Sequence, residues 1–281
     1  MLVAPGAYDG IGARLIEQAG FGACYMTGAG TSAARGFPDF GLLTMSEMVE
    51  NAAVMARSVQ IPLIADADTG YGNELNMTRT VREYEARGVA AIHIEDQVSP
   101  KRCGHLDGKE VISREDFVSK IRAAVEARRT PDFLLIARTD ARAVLGLEEA
   151  LWRAEAALDA GADMAFVEAT QSVDEAALVP RRVKGACLLN VVPGGRTPVH
   201  DLRQAEEMGY KLAILPGLML KAAIEAGDAA LAELKATMQA PTTRDTVAQT
   251  FRRFGADEWD ALRTRFNAGA PMDAASQQRV V

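Results

Sequence analysis

The feature that most constrains this chain is a device that occurs four times: a helical pattern, a small or polar residue, a glycine, then an apolar strand. Ala19-Gly20-Phe21 leads into residues 23–26, and Arg87-Gly88-Val89 into 91–94. Ala160-Gly161-Ala162 leads into 164–167, and Met208-Gly209-Tyr210 into 212–215. Glycine just past a helix takes the left-handed conformation that ends it and turns the chain into a strand. Repeated helix–glycine–strand steps are βα units, and βα units build a parallel sheet. Counting apolar runs gives eight strands, at 2–4, 23–27, 62–66, 91–95, 133–137, 164–168, 187–191 and 212–215. Amphipathic stretches at 11–19, 45–59 and 147–160 lie between them, and Thr44 with Glu47 forms a capping-box pattern ahead of the second. Eight units in about 220 residues predict an α/β fold, a (β/α)8 TIM-type barrel, rather than an open doubly wound sheet. An open sheet more often carries a nucleotide fingerprint, and neither G-x-G-x-x-G nor a Walker sequence is present.

The barrel domain is expected over 1–240, a helical extension over 241–266, and a disordered tail over 267–281. Val247, Phe251 and Phe254, then Trp259, Leu262 and Phe266, recur at helical spacing. This is more helix than a barrel needs, and its apolar face packs either onto a neighbouring subunit or within the monomer. Only Met1 precedes the first strand, so either the barrel lacks a plug at its N-terminal mouth or the recorded start is truncated. No apolar run approaches the ~18 residues of a membrane span, and no basic-then-apolar leader opens the chain. A net charge of −7 argues against a nucleic-acid surface. Cys24, Cys103 and Cys187 form no disulfide framework, so a cytoplasmic setting is expected.

In a barrel of this kind the chemistry sits at the C-terminal strand ends. The second strand ends Thr27-Gly28-Ala29-Gly30, a turn whose N–H groups suit a carboxylate or phosphate. The third ends Asp66-Ala67-Asp68, two acids on one face of an extended chain, costly unless a cation lies between them. The fourth carries His93 and Glu95, the fifth Arg138-Thr139-Asp140, the sixth Glu168 and the seventh Asn190. Carboxylates without a second Cys or His at ligand spacing favour Mg²⁺ or Mn²⁺ over zinc. After the fourth strand comes a glycine-punctuated loop, 99–110, with Cys103 among Lys101, Arg102, His105 and Lys109. These bases are expected to favour the thiolate, and Gly104 and Gly108 to let the loop swing as a lid. The pattern predicts a divalent ion chelating a 2-hydroxy or 2-oxo acid. Arg138 neutralises its charge, and the thiol moves a proton at the adjacent carbon.

The loop Lys101-Arg102-Cys103-Gly104-His105 resembles the signature of the lyase branch of the isocitrate lyase / phosphoenolpyruvate mutase superfamily. The resemblance extends to Pro5-Gly-Ala-Tyr-Asp9, Gly36-Phe-Pro-Asp39, Asp66-Ala-Asp68-Thr-Gly-Tyr-Gly72, Ile94-Glu-Asp-Gln97, Ala137-Arg-Thr-Asp140 and Gly195-Arg-Thr-Pro198. It implies Mg²⁺ facing Asp68, with Asp39, Asp66 and Glu95 acting through its waters. Thr27, Gly28, Ala29 and Arg138 would hold the pyruvate or glyoxylate carboxylate, and Glu168 and Asn190 the succinate-like part. Cys103 would be the general acid/base, with His105 shaping the loop, and Lys101 would belong to the same catalytic set. The implied assembly is a homotetramer that swaps a C-terminal helix between subunits. The implied activity is retro-aldol cleavage of a 2-hydroxy di- or tricarboxylic acid to a 2-oxo acid plus a succinate- or propionate-type acid. It is most like 2-methylisocitrate cleavage, with 2,3-dimethylmalate cleavage or oxaloacetate hydrolysis as alternatives and phosphonate P–C chemistry disfavoured by the loop. Leu106, Pro193 and Lys221 stand where methylisocitrate lyases typically carry arginine, glutamate and arginine, which suits an alkyl-bearing dicarboxylate better than a tricarboxylate.

Overall fold

The computed structural model describes residues 1–267, so the tail expected at the end of the chain lies, past Asn267, outside the described residues. Eight parallel strands close into a barrel in sequence order. They are β1 (Leu2–Ala7), β2 (Cys24–Met26), β3 (Leu63–Asp66), β4 (Ala91–Glu95), β5 (Leu134–Thr139), β6 (Met164–Val167), β7 (Ala186–Asn190) and β8 (Leu212–Leu215). Pairing of β1 with β8, Leu2 opposite Leu212 through Pro5 opposite Leu215, seals the ring. Around it run α1 (Gly10–Gln18), α2 (Gly28–Ala34), α3 (Met45–Ser58), α4 (Glu74–Ala86), α5 (Arg114–Ala127) and α6 (Ala141–Val144). These are followed by α7 (Leu147–Asp159), α8 (Val173–Arg182), α9 (Leu202–Met208), α10 (Leu218–Thr237), α11 (Val247–Arg252) and α12 (Ala256–Asn267).

The four punctuating glycines behave as the sequence predicts. Gly20, Gly88, Gly161 and Gly209 have φ of 84°, 77°, 104° and 108°, a region where a side chain is strained. Both arms of the Thr44–Glu47 capping box form at the start of α3. Two strands run longer than expected. β1 continues through Pro5-Gly6, because Gly6 lies against the backbone after β8: a Cβ there would sit 2.6 Å from the Leu215 carbonyl oxygen. β5 continues to Thr139, which places Arg138 inside the sheet between Glu95 of β4 and Phe166 of β6.

The barrel interior is filled by alternate strand residues, among them Tyr25, Ile64, Ile136, Phe166, Leu188 and Ile214. His93 belongs to this filling. Its ring stacks on Tyr25 and meets the edge-on ring of Phe166, and burial lowers its pKa to about 3, so it is a neutral core imidazole. The outer faces of the strands bury apolar residues against the helices, Met48, Val49 and Met55 of α3 and Leu151 and Ala154 of α7 being examples. Two compact units divide inside α10, between Gly227 and Asp228. No residue of α10, α11 or α12 is buried. Among the described residues no helix is long and apolar enough to cross a membrane.

Candidate active site

A small cavity, ≈ 120 Å³, opens at the C-terminal mouth of the barrel. Its walls differ in chemistry. Asp39 and Asp66 line one side, Cys103, Gly104 and His105 cover it, Arg138, Glu168 and Asn190 form the opposite side, and Val192, Pro216 and Leu220 close the far end.

The acidic side is built by a turn rather than by strand alternation. Asp66 ends β3, where Oδ1 accepts the Asp68 N–H at 2.9 Å and Oδ2 the Gly28 N–H at 3.1 Å. Asp68 lies beyond the strand with φ of 45°, and this left-handed step, tolerated by Asp, presents its carboxylate to Lys101 at 2.9 Å. Lys101 Nζ also donates to Asp39. Burial alone would strip the proton from this ammonium; Asp68 and Asp39 outweigh that and hold it charged. Gly28 thus spends its N–H on Asp66, and of the four residues expected to hold a carboxylate Thr27, Ala29 and Arg138 line the cavity and Gly28 does not. Thr27 is the N-cap of α2, so the expected turn is a helix start.

These residues fit a hard divalent ion. Asp68 Oδ1 lies 2.9 Å from Lys101 Nζ and Glu95 Oε2 3.1 Å from Arg138 Nη1, and burial pushes both carboxyls above their ordinary range. With Asp39 and Asp66 beside them and Arg138 shared with Asp140 and Glu168, the buried carboxylates outnumber the cations facing them, a surplus that a further cation would balance. Among the described residues no three His, Cys, Asp or Glu side chains converge tightly enough to hold an ion by themselves. An ion here would be carried on one or two carboxylates and several waters, as Mg²⁺ is.

The cysteine loop is tied down at several points. At its base Gln97 brackets Arg102, donating from Nε2 to the Arg102 carbonyl at 2.8 Å and accepting the Arg102 N–H at 3.0 Å. The Cys103 N–H donates to the Asp39 carbonyl at 3.1 Å. Gly104 is seated so closely that a Cβ would run into Arg138 and Glu168. Lys109, buried, donates from Nζ to the Gly104 carbonyl and, at 2.8 Å, to Asp140. The expected thiolate is overturned by these contacts. Lys101 faces two aspartates, Lys109 faces Asp140, and Arg102 lies over the Phe40 ring. Burial pushes the Cys103 thiol up, with Asp39 adding to the rise.

Arg138 is held rigidly. Its Nε and Nη2 donate to Asp140 at 2.8 and 3.2 Å, Nη1 lies 3.1 Å from Glu95, and Nη2 lies 3.5 Å from Glu168. Despite burial, Arg138 and Lys109 keep Asp140 ionised, at about 2. Glu168 in turn accepts from Asn190 Nδ2 at 2.9 Å.

The sequence model described as phosphoenolpyruvate phosphomutase matches residues 1–235, most of the chain. The chain belongs to the phosphoenolpyruvate phosphomutase family. The 2,3-dimethylmalate lyase of Eubacterium barkeri is 49% identical to it over 227 residues, 80% of this chain and 78% of the relative. The 2-methylisocitrate lyase of Aeropyrum pernix is 46% identical over 253 residues, covering 90% of this chain and 80% of the relative. Among solved structures, an oxaloacetate acetylhydrolase with the inhibitor 3,3-difluorooxalacetate superposes with TM-score 0.90 at 40% identity, covering 96% of this chain and 93% of that one. A phosphonopyruvate hydrolase in complex with oxalate and Mg²⁺ superposes with TM-score 0.85 at 32% identity, covering 95% and 94%.

In this member of the phosphoenolpyruvate phosphomutase family, one group at the cavity escaped the sequence reading, and one beneath the loop was read without its partner. Tyr25, whose hydroxyl is 2.7 Å from His93 Nε2, lines the floor. It stands two residues before Thr27, whose backbone stays extended just past β2, so alternation points both to the barrel interior. Lys109 was legible as a base near Cys103, but its partner Asp140 comes from another strand. Replacing Lys109 with Met leaves Asp140 with one cation and releases the Gly104 carbonyl. Breaking one side of a buried ion pair costs roughly 3–5 kcal/mol, read by chemical denaturation, and turnover should drop with it. Unchanged stability and rate would mean that this pair does not restrain the loop.

Proposed function

We propose that the protein is a divalent-ion-assisted carbon–carbon lyase that cleaves a 2-hydroxy carboxylic acid by retro-aldol chemistry, releasing a 2-oxo acid and a smaller carboxylic acid. The observation that carries this is the Cys103 thiol held over a cavity with an acidic cluster on one side and Arg138 on the other. Arg138, with Thr27 and Ala29, holds the carboxylate on C2. Asp68, with Asp39, Asp66 and Glu95 through water, would hold Mg²⁺ or Mn²⁺, which when bound polarises the oxygen on C2 and balances the carboxylates. The C2 hydroxyl proton passes to the acidic side of the cavity. The C2–C3 bond then breaks, its electron pair moves toward the carboxyl on C3, and Cys103 delivers its proton to C3. A thiol kept protonated by burial suits that duty. Glu168 and Asn190 face the leaving acid, and His105 shapes the loop.

The far wall favours a substrate with an alkyl group. Val192, Pro216 and Leu220 are apolar, and Lys221 donates to the Pro193 carbonyl at 2.6 Å outside the cavity lining. Leu106 likewise stays outside the lining. A dialkyl-substituted malate therefore comes first and a methylisocitrate-type tricarboxylate second. Hydrolysis of oxaloacetate is the alternative, supported by the likeness to the acetylhydrolase. A coupled assay for 2-oxo acid release with Mg²⁺, across 2,3-dimethylmalate, 2-methylisocitrate, isocitrate and oxaloacetate, tests this. Fastest cleavage of dimethylmalate is the expected result. Oxalate from oxaloacetate as the dominant product, or no reaction on any of the four acids, would overturn the lyase reading.

The helices after β8 belong to the same proposal. An α10 with no buried residue, and exposed Phe251, Trp259 and Phe266 beyond it, fit helix exchange within a homotetramer. Light scattering that returned a monomer mass would dismiss it. Three free cysteines suit a reducing compartment, the cytoplasm.

A further inference from the structure

The segment Gly195-Arg196-Thr197-Pro198 after β7 has no part in the chemistry above, yet it contacts the cysteine loop directly. The Arg196 main-chain N–H donates to His105 Nδ1 at 3.0 Å, and Arg196 Nε donates to the His105 carbonyl at 3.2 Å. The Arg196 guanidinium also pairs with Asp107 at 2.5 Å. Gly195 supports the same contact: a Cβ there would lie 2.8 Å from His105 Nδ1 and 3.0 Å from Cε1, so only glycine lets the two loops approach. A nitrogen that accepts a main-chain N–H carries no proton, so the neutral ring carries its proton on Nε2. Nε2 lies 3.3 Å from Glu168 Oε1, the carboxylate that Asn190 holds from its other oxygen.

We infer that Gly195 and Arg196 are the receiving jaw for the cysteine loop, and that Arg196 is a positioning residue which sets the His105 ring and, through it, the Cys103 thiol over the cavity. The inference rests on the lyase reading for its consequence in turnover, but not for its geometry. Two hydrogen bonds and one ion pair join loops from opposite sides of the barrel mouth, after β4 and after β7. With them formed, Cys103 is held two residues from a fixed imidazole. Without them Gln97, Asp39, Asp68 and Asp140 still hold the rest of the loop, but the His105 ring is left facing Glu168 with no partner at Nδ1.

The test uses the thiol itself. Cys24 and Cys187 are buried, so alkylation of the folded protein by iodoacetamide reports on Cys103. Arg196→Ala and Gly195→Ala are expected to speed alkylation about tenfold, with Arg196→Lys between them and the parent because it restores the charge facing Asp107. Turnover on the preferred acid is expected to fall about tenfold in kcat with a smaller change in KM, and thermal unfolding to stay within a few degrees of the parent. Parent-like alkylation in both Arg196→Ala and Gly195→Ala would overturn the inference. Faster alkylation in a protein that cleaves none of the acids would uphold the jaw and reject the lyase reading instead.

Discussion

Cys103→Ser is expected to lower turnover by about 10²-fold or more while leaving divalent-ion binding intact, the usual scale for removing a positioned acid or base. The exchange preserves size, so Arg138, Glu168 and the acidic side keep their places. What changes is how readily the proton leaves. A serine hydroxyl parts with its proton far less readily than a thiol, even one whose release burial has already made harder. Protonation of C3 therefore becomes the slow step, visible in a single-turnover experiment where product release cannot mask it. A Cys103→Ser protein that retained most of its single-turnover rate would show that another group carries the proton.

The second large effect concerns Asp68. Its backbone sits at φ 45°, which Asp and Asn tolerate and Ala does not, so Asp68→Asn separates charge from strain. Asp68→Asn is expected to weaken Mg²⁺ binding a hundredfold or more, beyond detection by titration calorimetry, since loss even of an outer-sphere partner typically costs 10–100-fold. Asp68→Ala should do the same and also lower stability, because it adds a strained left-handed alanine. Activity should vanish in both. Parent-like calorimetry for Asp68→Asn would place the ion elsewhere and leave Glu95, buried beside Arg138, as its remaining claim.

The barrel was legible because its signals are local. A glycine after a helix, a capping box and an alternating apolar run each need only a few neighbouring residues, and the strands fell where those signals put them. β5 ran past its expected end because pairing with β4 and β6 continued through polar residues. The site was legible as a set of residues and less so as a set of contacts. Lys101, Arg102 and Lys109 surround Cys103 in the sequence, yet each points to a partner from another part of the chain, Asp39 and Asp68, Phe40, and Asp140. Proximity along the chain suggested an activated thiolate, and burial with distant carboxylates reversed it. Tyr25 was missed because an aromatic residue in a strand reads as core, which it also is.

The seam between β1 and β8 joins the first strand to the last, and that has a kinetic meaning. Every strand that supplies a polar group to the cavity, from β2 to β7, lies between the two edges that must meet. Closing so long a loop is entropically slow, and parallel sheets offer little local reward on the way. Partly built barrels would present β1 as an unpaired edge, an invitation to aggregation during refolding. Recovery of catalysis after dilution from denaturant should thus trail the return of helical signal, with yield falling as protein concentration rises. The cavity is among the last things this chain acquires.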